Sequence, residues 1–125
     1  MLENISPYIY PGMKNTEEYK KLRRFKRDRI TKEEILDIVA KNCCVSTSQI
    51  LSRVRDREVV DARFIFAAVM KKEFGYTLKH IGKILNRDHT TIIHSLETFQ
   101  DRYKQYNEYR EVADGIFQEI KSKIE

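Results

Sequence analysis

The chain has 125 residues, a hydrophobic content of 41% and a formal net charge of +5. This length provides one domain with one modest core, and the positive charge favours a polyanionic partner. No apolar run approaches the roughly 20 residues that a membrane span requires, and the first residues lack the apolar stretch of a signal peptide. Composition therefore excludes a membrane protein and predicts a soluble, cytoplasmic one.

The basic residues are clustered. Residues 20–29 contain seven Lys or Arg and one acid, and residues 53–88 contain nine and five, whereas residues 97–125 contain five basic and seven acidic side chains. Solvated helix faces would explain the abundance of charge but not this clustering. The chain is therefore predicted to consist of a basic N-terminal arm, residues 1–29, and a folded domain, residues 30–125.

The arm contains turn signals at Ser6-Pro7 and Pro11-Gly12. A short helix could begin near Thr16, and the basic run that follows is either helical or disordered until it binds an anion. We expect this run to add nonspecific affinity for the polyanionic partner. The alternative is that apolar residues of the run pin it to the domain as a helix.

Helices account for the rest of the chain. Thr31 and Glu34 form a capping box at the entry to the first domain helix, and Ile30 with Ile35 forms a hydrophobic staple. The apolar side chains of this helix recur at helical spacing. A second, short helix is predicted near residues 46–51.

The next segment, residues 52–58, has arginine at alternate positions and no helical apolar pattern, which predicts a basic loop holding Arg53, Arg55 and Arg57. A longer helix is expected over about residues 59–74, ended by Gly75 as a left-handed cap residue. These arginines could be solubilising charges. If the helix-turn-helix that residues 77–94 predict, described next, reads DNA, an arginine loop beside it instead favours minor-groove or phosphate contact.

Residues 77–85 predict a short amphipathic helix capped by Thr77, and residues 86–88 predict a tight turn into a longer helix capped by Asp88. Helix, tight turn and helix with a polar first turn is the layout of a helix-turn-helix DNA reader. The last helix is predicted over about residues 107–124, with an apolar face of Tyr109, Val112, Ala113, Ile116, Phe117 and Ile120. No strand pattern is present, so we predict an all-α fold with five to six helices in the domain.

At about 100° per residue, the helix after the turn has a core stripe of Ile92, Leu96, Phe99 and Tyr103. Arg87, Thr90, Thr91 and His94 then lie on the opposite side. Threonine methyls can touch thymine methyls, threonine hydroxyls can reach phosphate or bases, and arginine can reach guanine or phosphate. A helix N-terminus also attracts phosphate.

Simpler interpretations exist for several of these residues. Asp88 is most simply an N-cap, although an aspartate can also accept from a cytosine amino group. His94 alone could be a surface histidine, and His80 is expected to face solvent. His89 and His94 are five residues apart, which is not the spacing of a helical zinc pair. Adjacent Cys43 and Cys44 form no CxxC motif, so we predict a semi-buried, reduced pair and no metal site.

The sequence Arg87-Asp88-His89-Thr90-Thr91-Ile92-Ile93-His94 resembles a signature of the C-terminal DNA-binding domain, domain IV, of DnaA, the bacterial replication initiator. The resemblance extends over about residues 30–124 and implies a Trp-repressor-like helix-turn-helix. It implies binding of double-stranded DNA at DnaA-box-like sites, with Asp88, His89, Thr90 and Thr91 as major-groove readers. It also implies phosphate contacts from His94 and Arg63, and a minor-groove contact from Arg55, with Arg53 or Arg57 as alternatives. The full set of candidate DNA-binding residues is Arg53, Arg55, Arg57, Arg63, Lys79, Arg87, Asp88, His89, Thr90, Thr91 and His94.

The chain also departs from the family pattern. Phe64 stands where many members have glutamine, and the turn at Leu85-Asn86 is one residue shorter than usual. No GxxxxGK[ST] phosphate loop is present, so we expect a stand-alone module that has no ATPase or other enzymatic activity and needs no cofactor. We expect a monomer that regulates replication or transcription, with other replication or regulatory proteins as further partners. The alternative is a protein–protein adaptor that reuses the DnaA-like surface.

Overall fold

The computed structural model describes the backbone of residues 17–124 and the side chains of residues 21–124. The turn signals predicted in the first 16 residues lie outside this range. The described part contains seven α-helices and no strand, which confirms the all-α prediction. The helices are α1 (Glu17–Arg29), α2 (Lys32–Cys43), α3 (Thr47–Leu51), α4 (Arg57–Ala68), α5 (Leu78–Leu85), α6 (His89–Gln105) and α7 (Asn107–Ile124).

The helix starts are defined by local hydrogen bonds between side chain and backbone. The Thr31 hydroxyl accepts from the Glu34 amide and the Glu34 carboxylate accepts from the Thr31 amide, which confirms the capping box at α2. Ser46 and Gln49 form the same arrangement at α3. Thr77 caps α5 through the His80 amide. Because each bond satisfies an amide that the helix leaves unpaired, the sequence alone positions these entries.

Helix α4 differs from its prediction at both ends. It begins at Arg57, so Arg57 is a helical residue and not part of the basic loop. At its C-terminal end the α-helix continues as a π-helical turn, Val69–Glu73. Gly75 follows with φ of 72°, which confirms the left-handed conformation that the sequence predicted.

The core forms around α4, which packs against α2, α3 and α6, while α7 packs against α2 and α6. Four phenylalanines, Phe66, Phe74, Phe99 and Phe117, are fully buried there. Burial of each such side chain stabilises the fold by roughly 2–3 kcal/mol. Because α6 packs directly against α4, the second helix of the helix-turn-helix is part of this core.

Helix α1 lies against the domain, and three of its basic side chains contact it. Lys26 Nζ is 2.8 Å from the buried Glu73 carboxylate, Arg29 Nε donates to the Ile124 carbonyl at 3.1 Å, and Arg27 lies over the Tyr76 ring. The apolar residues Leu22 and Phe25 of this helix are 44% and 47% exposed, and they line a cleft together with Ile124 of the last helix. The division into a basic arm and a domain stays a prediction.

The last helix carries its predicted apolar face with one exception. Ala113, Ile116, Phe117 and Ile120 are buried, whereas Val112 is 38% exposed. Among the described helices, none combines the length and apolar character of a membrane crossing.

Candidate nucleic-acid interface

The turn between α5 and α6 is held by the backbone of Gly82. The Arg87 amide donates to the Gly82 carbonyl at 2.8 Å, and the residue between the helices, Asn86, adopts a left-handed conformation with φ of 57°. A Cβ at Gly82 would lie 2.5 Å from the Arg87 carbonyl oxygen. This turn therefore approaches α5 more closely than any residue with a side chain would permit.

Asp88 fixes the start of α6. Its carboxylate accepts from the Thr91 amide at 2.9 Å, so the predicted N-cap is confirmed. This hydrogen bond lowers the pKa of Asp88 below its usual range, because the amide stabilises the charged form. Asp88 is nevertheless exposed to solvent.

The first two turns of α6 present a polar face to solvent. His89, Thr90, Thr91 and His94 are all exposed, and the His94 side chain is 79% exposed. Ile93 lies on the same side of the helix and is 40% exposed. On the opposite side, Ile92 and Phe99 are buried in the core. The stripe deduced from helical periodicity is therefore the one that the structure shows.

Arg87 is placed differently from its prediction as an exposed side chain of that helix start. It lies before α6, is partly buried, and donates to the carbonyls of Leu85, Asn86 and Ser52 at 2.8, 3.3 and 3.0 Å. The bond to Ser52 ties the turn to the basic loop, 35 residues away in sequence. In this structure Arg87 therefore links two segments of the interface, the turn before α6 and the basic loop, through its hydrogen bonds.

Arg63 is likewise internal. Its guanidinium donates to the carbonyls of Ile50 at 2.7 Å, Gln49 at 3.0 Å and Ser52 at 2.6 Å, and the residue is only 7% exposed. Burial, and then the charge of Arg87, lower the pKa of Arg63. These bonds use Nε and Nη2 of Arg63 for the C-terminal carbonyls of α3, and the phosphate contact that the family resemblance implies stays a prediction.

Four arginines line one cleft between the basic loop and α6. Arg53 and Arg55 of the loop meet Arg63 and Arg87 there, and the other walls include Thr91 and Ser95; the cleft has a volume of about 370 Å³. Burial, and then the charges of Arg53 and Arg55, lower the pKa of Arg87. Among the residues that the structure describes, no carboxylate lines this cleft. The positive charges of these arginines repel one another, and a bound polyanion would neutralise them.

Two candidate residues lie elsewhere. Arg57 points into a different cleft, where its Nε is 4.0 Å from Asp61, which also pairs with Arg102. Lys79 is exposed on α5 but lines neither the arginine cleft nor the groove at the turn. The structure therefore brings Arg53, Arg55 and the start of α6 together, and separates Arg57 from them.

Several residues of the interface were missed by sequence reasoning. Lys83 and Asn86 line a groove at the turn together with Arg53, Arg87 and Asp88. Gly82 carried a recognisable signal, since a glycine inside an amphipathic helix often marks a close backbone approach. No sequence signal marked the Ser52 carbonyl, because a sequence does not show which carbonyl will accept hydrogen bonds from two arginines.

His80 does not face solvent freely as expected. It is partly buried, with Lys32 Nζ 3.4 Å from its Nε2 and the Tyr76 ring in edge contact at 4.9 Å. Within residues 17–124, no three His, Cys, Asp or Glu side chains are grouped as a metal site. Both cysteines are free: Cys43 is half-buried, with its thiol pKa raised to about 11 mainly by burial, and Cys44 is exposed.

Comparison with known proteins identifies the same region. The family described as bacterial dnaA protein helix-turn-helix matches residues 32–98. The chain is similar to the chromosomal replication initiator protein DnaA of Ureaplasma parvum, with 44% identity over 69 residues, which is 54% of the chain and 15% of the relative. The same protein of Thermomicrobium roseum is 31% identical over 67% of the chain and 18% of its own length, and that of Bacteroides fragilis 28% identical over 78% and 21%. The chain thus spans about a fifth or less of the length of these relatives.

Proposed function

The chain belongs to the bacterial DnaA helix-turn-helix family, and on that premise we propose that it binds double-stranded DNA at sites resembling the DnaA box. Helix α6 enters the major groove by its first two turns, and α5 crosses the backbone beside it. The chain acts as a monomer in replication or transcription control, and it binds without hydrolysing ATP or catalysing another reaction.

The observation that carries this proposal is the juxtaposition of an exposed polar helix start with a cleft of unneutralised arginines. His89, Thr90 and Thr91 offer hydrogen-bonding groups and methyls of the kind that read base edges. Arg53 and Arg55 lie beside them on a loop. One element thus supplies base contacts, and the other supplies charge for phosphates or a narrow minor groove.

The face of α6 limits how the helix can lie in the groove. Beyond His94 the next exposed positions are acidic, Glu97 and Asp101. Carboxylates at these positions would repel phosphates. The N-terminal end of α6 therefore points into the groove, and its C-terminal half leaves it.

Base reading by α6 is tested by alanine substitutions. His89→Ala or Thr90→Ala is expected to weaken binding to the preferred duplex by roughly 1–3 kcal/mol and to leave binding to random duplexes nearly unchanged, because base contacts carry sequence preference. Both affinities are measured by titration at one salt concentration, after selection of the preferred sequence from random duplex DNA. Glu108→Ala, an exposed change at the start of α7, is the control. Equal losses on both duplexes would assign these residues to backbone contact instead.

The basic loop is tested by comparing two of its predicted arginines. Arg55→Ala is expected to weaken binding by roughly 1–2 kcal/mol, most strongly where an A·T tract flanks the major-groove site, since a narrow minor groove concentrates negative potential. Arg57→Ala is the matched control, because Arg57 faces Asp61 in another cleft. A larger loss for Arg57→Ala than for Arg55→Ala would contradict this assignment.

The main competing function is a protein–protein adaptor that reuses the same surface. Such a protein would bind preferred and scrambled duplexes equally weakly, with only the dependence on salt that any basic surface shows. Specific binding that survives rising salt better than binding to scrambled DNA excludes that alternative.

A further inference from the structure

A second group of cations surrounds His80, outside the arginine cleft. Lys32, the first residue of α2, places its Nζ 3.4 Å from His80 Nε2. The His80 ring is in edge contact with Tyr76, and the guanidinium of Arg27 lies 5.2 Å above the Tyr76 ring. Three elements, α1, α2 and α5, therefore converge on one histidine.

These cations have no carboxylate partner within the part of the chain that the structure describes. No ion pair within 4.0 Å is formed there by Arg27, Lys32 or Lys83, whereas Lys26 pairs with Glu73 and Lys41 with Glu119. The charges that act on His80 are those of Lys32, Lys83 and Arg27, all positive.

Two acids border this group. Asp28 and Glu33 lie close enough to Tyr76 to raise its pKa, together with burial, which is the larger cause. They are balanced there by Arg27, which acts in the opposite direction on the same ring. The group as a whole remains an excess of positive charge.

The group is continuous with the proposed DNA interface. Lys83 lies one turn beyond His80 on the same side of α5, and it also lines the groove at the turn with Arg53, Arg87 and Asp88. In a helix-turn-helix protein, the helix before the reading helix crosses the DNA backbone. A DNA strand that passes the turn would therefore run along α5 toward His80.

We infer that Arg27, Lys32 and His80 form a binding site for a phosphate of the DNA backbone that flanks the sequence read by α6. This inference rests on the proposed DNA binding and adds to it a contact made by α1 and the start of α2. The site gathers donors from segments that are 48 residues apart in sequence, as the Lys32–His80 contact shows.

The Nε2 atom of His80 can accept a hydrogen bond or donate one, according to its protonation state. When neutral, Nε2 accepts a hydrogen bond from Lys32; when protonated, it can only donate, and a phosphate oxygen placed between it and Lys32 would accept from both. In the free protein, burial and then the three cations lower the pKa of His80 below 6.5. A bound phosphate would raise the pKa, so protons and DNA should bind together and affinity should rise as pH falls.

The phosphate contact is tested by salt dependence on the full chain. Lys32→Gln is expected to reduce the slope of log affinity against log salt by about 0.9, the value for one phosphate. The reduction should appear with a duplex extended beyond the recognition sequence on both sides and vanish with a duplex trimmed to that sequence. Lys104→Gln, at an exposed position near the far end of α6, is the matched control and should leave both slopes unchanged.

The proton linkage is tested with His80→Gln, which keeps an acceptor for Lys32. Between about pH 7.5 and about pH 5.5, the natural protein should gain roughly threefold to tenfold more affinity for the extended duplex than the variant does, since one unit of pKa difference equals a factor of about ten. His89 and His94 are present in both proteins, so the difference isolates His80.

The outcomes separate this inference from the function on which it rests. Specific binding with unchanged salt slope in Lys32→Gln, or with equal pH dependence in His80→Gln, overturns the inference and leaves the proposed function intact. Absence of specific binding by the natural protein overturns both. A slope that falls equally on extended and trimmed duplexes also overturns the flanking site, because the phosphate contacted would then lie within the recognition sequence.

Discussion

Gly82→Ala is expected to destabilise the protein by about 1–3 kcal/mol and to abolish sequence preference in DNA binding. Alanine in a helix is ordinarily favoured over glycine by roughly 1 kcal/mol. Here the new Cβ would lie 2.5 Å from the Arg87 carbonyl oxygen, an atom of the backbone. Ordinary contact requires the turn to retreat by about 0.9 Å. Overpacking of this kind outweighs the helix preference, and it moves the start of α6 relative to α5.

The measurements for this prediction are urea unfolding and titration with preferred and random duplexes. Gly115→Ala is the matched control, because a Cβ there would meet nothing within 4 Å, and it should stabilise the protein by roughly 0.5–1 kcal/mol. If Gly82→Ala proved as stabilising as Gly115→Ala, the close approach of the turn to α5 would be refuted.

Arg63→Met is expected to destabilise the protein by about 3 kcal/mol. Methionine fills part of the same space but donates no hydrogen bond, so the Ile50 carbonyl loses its bond from Arg63, and the Gln49 carbonyl keeps only its bonds from Ser52. The Ser52 carbonyl keeps its bond from Arg87. Hydrogen bonds from a charged donor contribute roughly 1.5–3 kcal/mol each, and an unsatisfied buried acceptor costs roughly 1–3 kcal/mol.

A phosphate-contacting role for Arg63 would give a different result. It predicts an unchanged free energy of unfolding and a slope of log affinity against log salt that is lower by about 0.9. A structural role, in which Arg63 holds the end of α3, predicts a lower free energy of unfolding and an unchanged salt slope for any DNA that still binds. Arg63→Lys is informative as a second variant, since an ammonium cannot reproduce the planar fork that reaches three carbonyls. We expect it to retain only part of the stability. The quantities to compare are the free energy of unfolding from urea titrations and the salt dependence of affinity.

The two predictions concern Gly82 and Arg63, which fix the same part of the structure. The Ser52 carbonyl accepts from Arg63 at 2.6 Å and from Arg87 at 3.0 Å, so the end of α3, the basic loop and the turn before α6 meet at a single oxygen. Gly82 holds the other side of that turn. Base-reading and charge-bearing segments are thereby fixed relative to each other, as a site that depends on geometry requires.

Much of this protein is determined by the sequence itself, because the interactions concerned are local. The caps at Thr31, Thr77 and Asp88 each join residues three apart, so a short window of sequence contains both partners. The left-handed residue Gly75 and the buried stripe of α6 follow from a missing Cβ and from helical periodicity. Fold class, the helix-turn-helix and the exposed face of α6 could therefore be predicted.

The roles of the arginines and of His80 were decided only by tertiary structure. One-dimensional spacing makes Arg53, Arg55 and Arg57 equivalent, but the start of α4 turns Arg57 toward Asp61. Arg63 is exposed or buried according to where α3 ends, and His80 meets Lys32 across 48 positions. A charged side chain takes its function from the partners that the fold brings to it, and for Arg63 and His80 those partners lie outside any local window of sequence.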